Sequence, residues 1–252
     1  MNATGLTDVG RNRNQNQDAI FFTSEPIGPL PNLFIVADGM GGHNAGEVAS
    51  TKAVEFITEY VRDFKAAEFV QSDNYLDLLV TAVQGANTKV CELAETSVEM
   101  QGMGTTLTAC IITDEKIVLA HVGDSRAYAI TKDEINQLTA DHSYVDGMVK
   151  TGQITAEEAL THPDRHMVTR VLGMPMFFEV DGAVKPIGDT VSVLLCSDGL
   201  TNMLNDDMIK EIVNGTGFAE HRAKFLIEEA NARGGLDNIS AVLIDVIHEQ
   251  GR

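Results

Sequence analysis

The sequence predicts an α+β fold, a four-layer α-β-β-α sandwich of two mainly antiparallel sheets flanked by helix pairs, with a flap subdomain. Three observations lead there. Apolar runs such as residues 33–37 and 191–196 carry hydrophobic residues at consecutive positions, as strands covered on both faces do. Helical periodicity comes in two pairs, one before and one after the main block of strands. A length of 252 residues, 44% of them hydrophobic, supplies enough apolar material for a substantial core.

The elements follow in order. Leu33-Phe-Ile-Val-Ala37 lies between Pro31 and Asp38-Gly39 and reads as a buried strand that stops at a turn. The period then changes. Ala45, Val48, Ala49, Ala53, Phe56, Ile57, Tyr60 and Val61 recur at helical spacing, and Leu76, Leu79, Val80, Val83, Val90 and Leu93 repeat the pattern, so two amphipathic helices are expected. Residues 105–113, 116–122 and 125–130 read as an antiparallel meander joined at Asp114-Glu115 and Gly123-Asp124. Residues 141–172 are polar, rich in His and Gly, and form short helical fragments; they are expected to be a surface flap spanning about 141–176. Strands resume at 177–184 and 191–196, helices are expected near 206–213 and 218–232, and 239–247 is the last strand. Asn44 is a candidate helix cap, as are Asp206 and Asp207. No repeat, low-complexity stretch or linker divides the pattern, and residues 1–252 are expected to form one domain.

Composition narrows the partners. Against 37 Asp and Glu stand only 18 Lys and Arg, a formal charge of −19, so neither nucleic acid nor an anionic membrane is an expected partner. Cys91, Cys110 and Cys196 are far apart and show no C-x-x-C spacing, which fits free thiols in a reducing cytoplasm. No apolar run approaches the ~20 residues of a membrane helix, and residues 1–6 do not resemble a signal peptide.

The acidic residues carry the functional signal. Asp38-Gly39, Gly123-Asp124 and Asp198-Gly199 each follow an apolar strand, and Asp237-Asn238 precedes one. Taken singly, each is what a turn uses. Taken together, carboxylates from several strand ends can converge on hard cations such as Mg²⁺ or Mn²⁺, which favour oxygen ligands. Such a plan supports attack of water on phosphorus and needs no Ser or Cys nucleophile; neither G-x-S-x-G nor C-x5-R occurs. Arg11 and Arg13 are candidates for gripping the phosphate.

The ordered motifs resemble those of the PP2C (PPM) family of metal-dependent Ser/Thr protein phosphatases, in its compact bacterial branch. They are Thr7-Asp-Val-Gly-Arg-Asn-Arg13, Asn16-Gln-Asp18, Val36-Ala-Asp-Gly-Met-Gly-Gly-His43, Gly104-Thr-Thr106, His121-Val-Gly-Asp-Ser-Arg126, Asp141-His142, Cys196-Ser-Asp-Gly-Leu200 and Gly235-Leu-Asp-Asn-Ile239. The resemblance implies that Asp38 bridges two Mg²⁺ or Mn²⁺ ions, that the Gly39 carbonyl ligates one, and that Asp198 and Asp237 ligate the other. It implies that Asp18 acts mostly through metal-bound water, and that Asp124 with Asp198 forms a third, weaker site. Arg13 occupies the position of the phosphate-gripping arginine. The implied substrates are cytosolic phosphoserine and phosphothreonine proteins, with a bacterial Ser/Thr kinase as the opposing partner and a monomer sufficing.

Two positions depart from eukaryotic relatives. Gln17 stands where they carry a glutamate, and Met40 where they place a histidine proposed as general acid, so the proton donor is unassigned. His43 is three residues further on. An inactive module that keeps the fold and binds a partner is the alternative from another class; the presence of Asp38, Asp124, Asp198 and Asp237 argues against it. A phosphatase acting on an anti-anti-sigma-type protein is a third reading.

Overall fold

The computed structural model describes residues 1–42, 44–64, 74–174 and 179–246. The chain opens with strands β1 (Asn2–Asp8), β2 (Asp18–Thr23) and β3 (Leu33–Met40), then helices α1 (Ala45–Asp63) and α2 (Tyr75–Ala94). Strands β4 (Gly104–Thr105), β5 (Leu107–Ile112), β6 (Lys116–Val122), β7 (Arg126–Ile130) and β8 (Ile135–Gln137) follow. Helices α3 (Tyr144–Lys150) and α4 (Ala156–Thr161) precede β9 (Asp181–Pro186) and β10 (Ser192–Cys196). Helices α5 (Asp198–Thr201), α6 (Asp206–Val213) and α7 (Ala219–Ala232) lead to β11 (Ile239–Asp245).

The strands form two antiparallel sheets, one in the order β1-β11-β10-β7-β8 and the other β2-β3-β5-β6-β9, with β4 added to β3. Period-two alternation explains the layers. In β3, Leu33, Ile35 and Ala37 join the core shared with α1 and α2, while Phe34 and Val36 join the core between the sheets. In β11, Ile239, Ala241 and Leu243 face the core shared with α6 and α7, while Val242 and Ile244 face the other sheet. One continuous apolar strand thus serves two interfaces, and three cores separate four layers. Helix α1 buries Ala45, Ala49, Ala53, Ile57 and Val61, its expected apolar stripe.

Several expectations need correcting. Strands β5 and β6 form the predicted hairpin, but β7 pairs with β10 in the opposite sheet, so Gly123-Asp124 is a crossing between sheets and not a meander turn. Periodicity and turn residues report that a strand ends, not which neighbour the next one finds. The strand expected at 177–184 runs instead from Asp181 to Pro186, and residues 175–178 lie outside the described residues. Helix α6 is capped by Asn205, whose side chain accepts from the Met208 amide, while Asp206 and Asp207 occupy its first turn, where their charge suits the helix dipole. Asn44 sits at the start of α1 without a side-chain capping bond. Helix α3 is capped by Ser143 and α4 by a Thr155–Glu158 capping box. No helix among the described residues is long and apolar enough to cross a membrane.

Candidate metal centre

The predicted acidic residues meet at one end of the intersheet seam. Asp18 and Asp38 are direct partners in the β2–β3 register. Asp198 opens α5 just after β10, Asp237 lies two residues before β11, and Asp124 lies in the β6–β7 crossing. Asp38 feels the charges of Asp18, Asp198, Asp124 and Asp237 together. Carboxyls gathered in this way repel one another unless protons or cations offset their charge.

Backbone contacts fix this arrangement. The Asp38 amide donates to Thr106 Oγ1 (2.9 Å), and the Asp38 carbonyl accepts from the Thr106 amide (2.8 Å) and from Thr105 Oγ1 (2.9 Å). The Gly39 amide donates to the Gln17 carbonyl (3.1 Å), and Gly39 pairs with Thr105. A side chain is excluded at Gly39: a Cβ there would lie 2.1 Å from the Gly46 carbonyl oxygen and 2.5 Å from that of Gln17. Strand β3, the start of α1 and the loop before β2 therefore touch backbone to backbone.

Asp18 ties the two sheets together. Its Oδ2 accepts from Ser197 Oγ (2.8 Å) and Ser240 Oγ (2.6 Å), both on the opposite sheet's side of the seam. Its Oδ1 is buried with no hydrogen-bond donor, and so is Asp198 Oδ1, although Asp198 Oδ2 accepts from Asn202 Nδ2 at 2.9 Å. Burial is the main cause of an upward shift throughout. It pushes Asp18 up to about 7 against the opposing hydroxyls of Ser240 and Ser197, and Asp124 up to about 7 with help from the Asp198 charge. Asp38 is raised well above the carboxylate range and Asp198 is raised, by burial first and acidic neighbours next.

Arg13 brings a cation to the site. Its Nη2 donates to Asp237 Oδ2 at 2.8 Å, and this hydrogen bond is the main cause of its raised pKa, with Asp38 and Asp198 adding to it. The guanidinium stays half exposed. Arg11 carries no such contact to the aspartates; its amide bonds the Gly235 carbonyl. His43 lies outside the described residues, and the proton donor stays unassigned.

Asn238 was not singled out from the sequence, yet it holds the loop that bears Arg13 and Asp18. Its Oδ1 accepts from the Gln17 amide (2.8 Å), and its Nδ2 donates to the Val9 and Gln15 carbonyls (2.9 Å each). Ser240 was missed as well, though a serine inside the apolar run of β11 must find a polar partner when buried.

The donor set fits hard cations. Among the described residues no three His, Cys, Asp or Glu side chains close into a cage around one point. A cage is unnecessary for Mg²⁺, which keeps several of its waters and takes one or two carboxylates. Two buried carboxylate oxygens without donors, among carboxyls whose charges raise one another, are the signature such ions would relieve. A separate shallow cavity between β6, β9 and residues 138–140 is lined by His121 and Asp181 and by none of the five aspartates.

The protein phosphatase 2C family pattern matches residues 9–237. The chain is similar to the serine/threonine phosphatase stp of Listeria innocua, 38% identical over 246 residues that span 97% of this chain and 96% of the relative. Its fold superposes on a bacterial serine phosphatase crystal structure with a TM-score of 0.92, at 33% identity and over 100% of both chains. It also superposes on the catalytic domain of the phosphatase PstP in complex with two manganese ions, with a TM-score of 0.82, 32% identity and 98% of each chain covered. The chain belongs to the protein phosphatase 2C family of serine/threonine protein phosphatases.

Proposed function

We propose that the acidic end of the seam binds two Mg²⁺ or Mn²⁺ ions, with Asp38 between them, the Gly39 carbonyl on one, and Asp198 and Asp237 on the other. Asp18 orients the water shell, and Asp124 with Asp198 holds a third, weaker ion. The observation that carries the reading is the pair of buried, donorless oxygens on Asp18 and Asp198 beside a half-exposed arginine. Bound divalent ions supply a water acidic enough to attack phosphorus and neutralise the charge that develops there.

The chain's own residues do the rest. Arg13 has donors beyond the one it gives Asp237, and these hold the phosphate oxygens of a phosphoserine or phosphothreonine at the mouth of the acidic cleft. Its bond to Asp237 fixes the guanidinium before substrate arrives, so less freedom is lost on binding. Ser197 and Ser240 saturate one oxygen of Asp18 and leave the other, buried one without a donor. Residues 1–252 act as one phosphatase domain, with a flap at about 141–176 that shapes the choice of protein substrate. The cellular setting is the cytoplasm, the working form a monomer, and the opposing partner a Ser/Thr kinase.

Hydrolysis of p-nitrophenyl phosphate and of a phosphothreonine peptide should require added Mn²⁺ or Mg²⁺, stop with EDTA, and collapse in Asp38→Asn. Turnover without divalent ions, or full activity in Asp38→Asn, would reject the assignment.

A further inference from the structure

Asp141-His142 begins the flap, and neither residue belongs to the acidic cluster. His142 is nevertheless fastened to the turn that carries Asp124, and Asp141 to Arg126 just beyond it. That turn, Gly123-Asp124-Ser125, crosses from β6 to β7, and Gly123 adopts a φ of +114° with its Cα against Thr106, where a Cβ would lie 2.5 Å from the threonine Cβ. On one side it is held by Ser125, whose hydroxyl contacts Thr106 Oγ1 at 2.8 Å and whose carbonyl accepts from Thr108 Oγ1 at 3.0 Å. On the other side His142 grips Gly123 twice. The Gly123 amide donates to His142 Nδ1 (3.0 Å), and the His142 amide donates to the Gly123 carbonyl (2.7 Å).

This geometry sets the imidazole tautomer. Nδ1 accepts a backbone N–H, so the ring proton sits on Nε2, which donates to Asp181 Oδ2 at 3.1 Å. Arg170 Nη1 in turn donates to Asp181 Oδ1 at 3.0 Å and fixes the carboxylate. Asp141 is anchored independently on β7, accepting from Arg126 Nε (3.0 Å) and Nη2 (2.7 Å). His142 is buried, as is Asp124.

We infer that Asp141-His142, backed by Arg126, Asp181 and Arg170, is a clamp of positioning residues that holds the Asp124 turn ready for the weaker cation. The inference rests on the reading of Asp124 as a ligand of that ion. A carboxylate on a turn free to pivot would lose affinity for a cation held by few protein ligands, and removing such outer supports typically costs about 10–100-fold in metal affinity.

The test is calorimetric titration of Mn²⁺ into EDTA-stripped protein, compared among wild type, Asp124→Asn, His142→Ala, His142→Asn and Asp181→Asn. Asp124→Asn should abolish the weakest binding step. His142→Ala should weaken that step by about tenfold or more and leave the tighter steps in place. His142→Asn, whose amide oxygen can still accept from Gly123, should recover most of the loss, and Asp181→Asn should show a several-fold weakening. A His142→Ala isotherm that overlays wild type, or that weakens every step equally, overturns the clamp, as does a His142→Asn variant no better than alanine. If His142→Ala does not fold, wild-type binding in Asp181→Asn overturns it instead. Retention of the weakest step in Asp124→Asn would sink the ligand reading itself, a result distinct from a failure of the clamp.

Discussion

Stripping the divalent ions should make the protein less stable as pH rises from 6.5 to 8.0, and the structure sets the size of the effect. Asp18 and Asp124 are raised to about 7 in the folded chain, mainly by burial. An unfolded aspartate titrates near about 3.9. A group whose folded pKa is raised contributes its stability below the unfolded value and loses it as pH climbs through the folded one. Across this window the folded carboxyl goes from about three-quarters protonated to about one-tenth, while the unfolded one stays ionised; integration gives roughly 0.8 kcal/mol per group. The two together lose roughly 1.5 kcal/mol, or about 3–6 °C in Tm for a chain of this size. Asp38 and Asp198 are raised too and push the same way. His121 is pushed down to about 4 by burial first and His142 next, so its linkage has the opposite sign: stability is gained as pH rises through its unfolded value of about 6.5, which returns roughly 0.4 kcal/mol over the window and leaves a net loss of roughly 1.1 kcal/mol, or about 2–4 °C. Thermal melts followed by circular dichroism, in EDTA and in saturating Mn²⁺, make the comparison. A metal-free Tm that stays flat or rises over the window would refute the reasoning, and so would an equal fall with Mn²⁺ bound.

Two further substitutions probe the loop between β1 and β2. Arg13→Ala should lower kcat/KM about ten- to a hundredfold, the worth of a roughly 1.5–3 kcal/mol hydrogen bond to a charged group, and move Tm little, because its ion pair with Asp237 is half exposed; an unchanged kcat/KM removes Arg13 from the site. Asn238→Ala deletes the side-chain bonds to Val9, Gln15 and Gln17 and should cost roughly 2–4 kcal/mol in urea unfolding, with a change below about 0.5 kcal/mol showing that the loop is held by other means.

How far the sequence could be read depended on whether a residue's task is local. The strand at β3 and the stripe of α1 were legible because alternation and helical period are properties of neighbouring residues. Strand β1 was not, since Asn2, Thr4, Gly5, Thr7 and Asp8 give it no apolar run, and it is a strand because β11 offers it a full register of partners. The sheet switch at Gly123 escaped for a related reason: nothing in a turn residue encodes the identity of the next strand's neighbour. Asp38, Asp124 and Asp198 stood out by following apolar strands beside glycine. Asp18 opens its strand, with no apolar run before it, and was reached through the family resemblance alone; what holds it, Ser197 and Ser240, comes from more than a hundred residues away in the chain.

Bringing Asp18, Asp38, Asp124 and Asp198 into burial together opposes folding by several kcal/mol, since each raised pKa unit is worth about 1.4 kcal/mol. The same seam, further from the acids, buries Phe34, Val36, Leu119, Val193, Leu195 and Val242 between the sheets, each contributing roughly 1.5–3 kcal/mol. That apolar interface opposes the repulsion. The strain is borne locally, by the β6–β7 crossing and the loop before β2, whose anchors are hydrogen bonds and not packed side chains. Loss of metal should therefore loosen these segments first, which hydrogen exchange at the Gly123 and Gln17 amides would register while the amides of β3 and β11 remain protected.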